Sequence, residues 1–206
     1  MNTGMATLPP ASPAPNKRRA ATRARICEAA KQLFFEQGYP LVTMEHIAQS
    51  ADIRRSTLYL HFREKDEILA AIAQDYTAKL RLVVASLPGP TPDRNEVLQW
   101  VKRFATFVSS ERAATELLVT LSHLPKAPAA AWQFGQDLLG MMAQRLPAIA
   151  KGLEPDAHIE RAKAVAVMDT LGWALCTQAR YGANDASQAR LDVAADFLYR
   201  FVRGEL

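Results

Sequence analysis

Cysteine is nearly absent: two residues in 206, Cys27 and Cys176, far apart and each in a helix-forming stretch. That suggests neither a disulfide framework nor a metal motif, and both thiols are expected to be small buried side chains. Histidine is almost as sparse, with His46, His61, His123 and His158 scattered and no pair at metal-ligand spacing. A glycine-rich phosphate loop and a Ser-His-Asp pattern are missing too, so the chain reads as a non-enzyme with no cofactor and no metal site. No apolar run approaches the roughly 20 residues that a membrane helix needs. Nor does the N-terminus show a basic start followed by an apolar block, so we expect a cytoplasmic protein with no membrane partner. Sustained apolar-polar alternation is missing beyond residue 20, which points to an all-α fold.

What is present is enough apolar side chain for an ordinary core, 49% of the residues, and a lopsided charge. Residues 1–65 hold ten Lys and Arg against five Asp and Glu, whereas the remainder holds fifteen against sixteen. A basic first third on a neutral body suits a polyanion partner for one end only.

Residues 1–16, "MNTGMATLPPASPAPN", carry Pro, Ala, Ser and Thr without periodicity, and with the following basic residues they suggest a disordered basic tail over 1–19. A first helix is expected from about Thr22 to Gln37, on the recurrence of Ile26, Ala29, Ala30, Leu33 and Phe34, with Gly38 as its stop. Thr43 is a good N-cap for a short helix from about Met44 to Ser50. A turn through Asp52 and Ile53 then leads to a third, about Arg54 to His61. Two short helices behind a longer one make a helix-turn-helix arrangement, expected here over residues 20–66. The rest, 67–206, reads as a helical body with elements near 65–86, 93–109, 111–122, 127–150, 156–181 and 185–202, about nine helices in all. Pro147 falls inside the fourth of the six and should kink it or end it early.

Within "DIRRSTLYLHF", residues 52–62, Leu58 and Phe62 mark a buried side while arginines, hydroxyls, a tyrosine and a histidine crowd the other. A solvated helix would also be polar on one side. Against that bland alternative, the donors gather at the start of a helix too short to be stable alone. Thr43 would also present a helix N-terminus to an anion, and Lys65 follows on the same surface.

The stretch "TRARICEAAKQLFFEQGYPLVTMEHIAQSADIRRSTLYLHFREKDEILAAI" closely resembles the DNA-binding domain of the TetR family of bacterial transcriptional regulators. The resemblance runs over about residues 20–73. It rests on Leu33-Phe34 with Gly38-Tyr39, Thr43, Ile47-Ala48, Ala51, Thr57-Leu58-Tyr59, His61-Phe62, and Lys65 with Ile68-Leu69. Two residues depart from the family pattern. Asp52 stands where a turn glycine is usual, and Arg54 where Ser or Thr often caps the helix, a loss of roughly 1 kcal/mol that an Asp52 acceptor would offset.

Arg55, with Arg54, Ser56 and Thr57, sits at the helix end that reaches base edges in this type of docking. The arginines are the leading sequence readers, since bidentate Arg on guanine is the commonest specific contact. Glu45 is a weaker candidate for a cytosine amino group. The resemblance implies that Thr43, Tyr59, His61 and Lys65 hold phosphates of a double-stranded DNA operator. Lys17, Arg18, Arg19 and Arg23 either follow the DNA backbone or form an unattached basic tail.

For the body, the resemblance implies a homodimer through the last two helices and an unidentified small-molecule effector bound inside. It thereby implies a repressor released on ligand binding; activation, or an interaction protein with a vestigial DNA-binding domain, is the alternative. Val165 and Trp173 on the first of these helices, and Val193, Phe197 and Phe201 on the second, exceed what one buried face uses. Pocket candidates are Trp100, Phe104, Phe107, Trp132 and Met142, with neighbouring Phe134 and Met141, and Trp173 closing from the dimer side. Asp169 is the leading polar candidate, beside Glu116, His123, Gln133, Asp137 and Gln178. Each aromatic stripe is equally well explained as core.

Overall fold

The computed structural model describes residues 15–206 and is all-helical, with ten α-helices, one 3-10 turn and no strand among the described residues. The tail expected over 1–19 lies mostly outside the described residues. Where it overlaps them, the expectation fails, because α1 spans Pro15–Gln37 and takes in Lys17, Arg18 and Arg19. Ala20, Ala21 and the basic residues around them are good helix formers. Thr22 bonds back to the Arg18 carbonyl at 3.0 Å from inside the helix and caps nothing.

Gly38, at φ 88, ends α1 in a conformation that a side chain would strain. The chain then makes a 3-10 turn (Tyr39–Leu41), α2 (Met44–Ser50) and α3 (Arg55–Tyr59). Ile26, Ala30 and Phe34 of α1 meet Ile47 and Ala48 of α2, Leu58 of α3 and Phe62 beyond it, all buried. Phe34 packs edge-on to Tyr39 with ring centroids 4.8 Å apart. The next helix, α4 (Lys65–Ala85), buries Ile68 and Leu69 against this small core and Tyr76, Leu80 and Val84 further along. It packs on α1 at one end and on α7 in the body, so a single rod runs from the head into the larger part.

The body comprises α5 (Arg94–Ser110), α6 (Arg112–Ser122), α7 (Ala129–Ala143), α8 (Pro147–Gly152), α9 (His158–Tyr181) and α10 (Asp185–Arg203). Reciprocal side-chain and backbone bonds box the starts of α5, through Asp93 and Glu96, and of α10, through Asn184 and Ser187. The helix expected over 127–150 is two: α7 stops at Ala143, Leu146 takes the extended conformation favoured before proline, and Pro147 opens α8. Helices α9 and α10 lie along one another, with α5 and α8 on their inner side.

Candidate nucleic-acid interface

The turn between α2 and α3 is closed by backbone bonds from Asp52 N–H to the Gln49 carbonyl and from Ile53 N–H to the Ala48 carbonyl. Asp52 sits there at φ 50, the left-handed region that a glycine would take most easily and Asp tolerates. Thr43 caps α2 as the sequence suggests, its hydroxyl accepting the His46 N–H at 3.2 Å. Arg54 occupies the cap of α3 with no side-chain acceptor, so Asp52 does not replace the missing Ser or Thr.

Leu58 is 0% exposed and fixes the rotation of α3, which turns Arg54, Arg55 and Ser56 to solvent and leaves Thr57 half-buried. The Arg55 guanidinium lies 3.7 Å from the Glu45 carboxylate and 5.6 Å from the centre of the exposed Tyr59 ring. Hydrogen bonding to Tyr59 and the Glu45 charge both raise its already high pKa. His61, half-buried, is pushed the other way by burial first and then by the charges of Arg19 and Arg23, so its ring favours the neutral form. In that neutral form it can donate one N–H to a phosphate.

Two arginines brace this surface: Arg23, expected either along the DNA backbone or in an unattached basic tail, and Arg25, which the sequence reading did not single out. Arg23 donates to the His61 carbonyl at 3.2 Å and lies 4.0 Å over the Phe62 ring, while Arg25 reaches the Asp52 carbonyl at 3.5 Å. Their place on α1, three and one residues before Ile26 on the buried face, was the available signal. Lys65 departs from its expected role as a phosphate ligand. Its ammonium donates to the carbonyls of Tyr39 (2.9 Å), Pro40 (3.2 Å) and Val42 (3.2 Å) and sits 4.6 Å over the Tyr39 ring. Tyr39 in turn donates its hydroxyl to Asp66, beside Lys65 at the start of α4. Lys65 therefore ties α4 to the 3-10 turn with all three of its donors engaged.

The pocket candidates separate into two groups. Trp100, Phe104 and Met142 are buried and Phe107 half-buried. Trp100 donates its indole N–H to the Val83 carbonyl at 3.0 Å and borders a void of only ≈ 10 Å³. Trp132, 55% exposed, and Trp173, 74% exposed, face solvent and line no interior space, because the helices that carry them are rotated to bury Phe134 and Ala174 instead. Asp169 is likewise outside, accepting a 3.0 Å hydrogen bond from His123. Glu116 is buried in an ion-pair bracket with Arg112 (2.8 Å) and Arg180, whose hydrogen bonds outweigh burial and hold its carboxyl below the ordinary range. Gln133 and Asp137 bond to one another at the surface. The Gln178 side-chain oxygen is buried without a partner. Among the described residues, no group of three His, Cys, Asp or Glu is placed to hold a metal.

Residues 26–72 match the profile of bacterial regulatory proteins of the tetR family, and that stretch runs from the α1 core through α2, the turn, α3 and the start of α4. Over this stretch the N-terminal domain is similar to those of TetR-family regulators. Over 66 residues it is 32% identical to an HTH-type transcriptional repressor of Mycobacterium tuberculosis, covering 32% of this chain and 35% of that one. It is also 43% identical over 51 residues to an uncharacterized HTH-type transcriptional regulator, TtgW, of Pseudomonas putida, covering 25% of this chain and 38% of that one. This chain thus spans little more than a third of these relatives' length. A solved TetR-like transcriptional regulator from Rhodococcus sp. RHA1 has the same fold across head and body, with a TM-score of 0.67 at 20% identity over 90% of this chain and 97% of that one. The fold shared with that structure therefore extends to the body, although the family-model match stops in α4.

Proposed function

We propose that this protein is a dimeric, DNA-binding transcriptional regulator that represses from a palindromic operator and is released when a small molecule binds its helical body. The observation that carries the reading is α3. Leu58 and Phe62 lock its inner side, and Arg54, Arg55 and Ser56 project into solvent from its N-terminal end, Arg55 held only by exposed contacts with Glu45 and Tyr59. A helix so mounted enters a major groove with base-reading side chains foremost. Thr43 at the start of α2, Tyr59 at the end of α3 and His61 just beyond it flank it and supply the phosphate contacts of this reading. Acting on chromosomal DNA places the protein in the cytoplasm.

One such helix reads only a few base pairs, so a second copy is required, and the apolar outer face of α9 and α10 offers it. Ile159, Val165 and Trp173 on α9 and Val193 on α10 are exposed although apolar. Ligand control, in this reading, acts through the tight interior. A molecule admitted among Trp100, Phe104 and Met142 has to displace packed side chains, so bound and empty bodies differ in shape, and occupancy shifts the population of head orientations.

Fluorescence polarisation with duplexes from beside the protein's own coding region tests the reading. A regulator gives saturable binding to one fragment, a steep fall in affinity as salt rises, and weaker binding to random competitor. Equal affinity for every fragment overturns it.

A further inference from the structure

A cleft of ≈ 570 Å³ opens between α1, α4 and the start of α6, away from the DNA-facing end of α3 and from the Trp100 interior. Its size falls in the range of small-molecule sites, roughly 300–1,000 Å³. Small side chains create it: Ala20 and Ala24 on α1, Ala71 on α4 and Ala114 on α6. Cys27 and the buried Ile72 and Tyr76 also line it. The lining carries three carboxylates, Glu28, Asp75 and Glu111, and the Lys31 ammonium, while Lys79 bonds to two of the carboxylates from outside the lining. Lys31 pairs with Glu28 at 2.6 Å, and one ammonium, that of Lys79, is shared between Asp75 at 2.9 Å and Glu111 at 2.8 Å. These five groups keep one negative charge in excess. The other cation of the lining, Arg23, is engaged with the His61 carbonyl and the Phe62 ring.

We propose that this cleft is a regulatory site for a small amine with an apolar body, the ammonium beside Asp75 and Glu111 and the hydrocarbon over Cys27 and Ile72. The regulatory half rests on the DNA-binding reading above; the amine site does not. Coupling runs through Arg23, because an occupant between α1 and α4 presses on the side chain that anchors the end of the α3 segment. Occupancy therefore favours head positions other than the DNA-bound one and weakens DNA binding by the ligand's preference for them.

Cys27 provides the handle for a test. In a Cys176→Ser protein it is the one remaining thiol of the sequence. Cystamine, bis(2-hydroxyethyl) disulfide and dithiodiglycolate are each equilibrated with it at a fixed concentration of the matching reduced thiol. The Cys27 sulfur takes one half of the disulfide and the other half leaves as thiol, and intact-mass spectrometry reads the labelled fraction. The ammonium label should exceed the neutral one by about fivefold, the factor of one ion pair in water at ~4 Å, and the carboxylate label should trail both. The preference should collapse in Asp75→Asn and, with no substitution at all, in about 1 M salt. Equal labelling by the three probes overturns the amine site. Unchanged DNA affinity of the ammonium-labelled protein overturns the regulatory half. Failure of the unlabelled protein to bind any DNA overturns the DNA-binding reading and leaves the amine preference standing.

Discussion

Arg55 reaches forward from α3 with Glu45 and the Tyr59 ring behind it, and both neighbours act on where its guanidinium points. In the proposed reading this planar donor fork meets guanine bidentately. Arg55→Ala should therefore lower affinity for the operator roughly tenfold or more while leaving affinity for random duplex nearly unchanged, as read by competition polarisation. Equal loss on both would make Arg55 a phosphate contact. Lys65 presents the opposite case. The family resemblance implies a phosphate ligand, but its three donors close the 3-10 turn and its charge rests on Tyr39. Lys65→Ala should cost about 1–3 kcal/mol of stability, since hydrogen bonds from a charged donor to carbonyls are lost. In a protein of this size that lowers the midpoint of a circular-dichroism melt by a few degrees. An unchanged melt with uniformly weaker DNA binding would return Lys65 to the phosphates. Local chemistry was legible here because it is written in adjacent letters: Thr43 caps three residues ahead, and Asp52 tolerates the turn. The Lys65 bonds span more than twenty residues of chain, and no periodicity encodes which carbonyls a folded turn will present.

Between elements, α6 and α9 are joined at the surface by a histidine whose two ring nitrogens both face acceptors. His123 Nδ1 is 2.7 Å from the Val119 carbonyl and Nε2 is 3.0 Å from the Asp169 carboxylate. A neutral imidazole has one N–H and can satisfy only one of them, so the protonated ring is favoured, and its pKa is raised by the backbone bond first and by Asp169 second. A folded-state pKa above the unfolded value means that the contribution is complete below the unfolded pKa and is lost as pH rises through the folded one. Melting temperature should accordingly decline from pH 6 toward pH 8 more steeply in the native protein than in His123→Gln, with both proteins followed by differential scanning calorimetry. Parallel curves would show that this link contributes nothing. A second junction depends on Gly152, where an added Cβ would lie 3.0 Å from the Glu160 carbonyl oxygen. Gly152→Ala should destabilise the protein by about 1–3 kcal/mol, as overpacking at a close backbone approach does, with the loss read from urea midpoints. The proline rule foresaw where the 127–150 helix divides, because Pro147 lacks the N–H that a continuing helix needs. The start of α1 was missed, because a Pro- and Ala-rich composition does not show where helix-forming residues take over.

Across the whole molecule, the rotation of α9 and α10 decides whether the heads are used singly or in pairs. Sequence patterning showed surplus apolar residues on both helices, but only packed neighbours reveal which ones the chain covers itself. Phe201 is buried within the chain and Phe197 half-buried, whereas Trp173 and Val193 remain 74% and 65% exposed. The same rotation explains why Trp173 was mistaken for a pocket wall: a large aromatic beside a core helix reads alike whether it points inward or outward. A tryptophan held in water on a long helix costs hydration free energy that a second copy removes. Because Trp173 and Val193 contribute little to the intrachain core, Trp173→Glu and Val193→Glu should leave the far-ultraviolet spectrum and the melt nearly intact. Each introduces a charge that a twofold-related copy would bring up against its own image. Sedimentation analysis should then show a single chain where the native protein shows two. Operator affinity should fall by far more than random-duplex affinity, since two recognition helices about 34–36 Å apart are what a palindrome requires. A dimer that survives both substitutions would move the subunit contact off this face, and DNA affinity unchanged in a proven monomer would mean that each head binds alone.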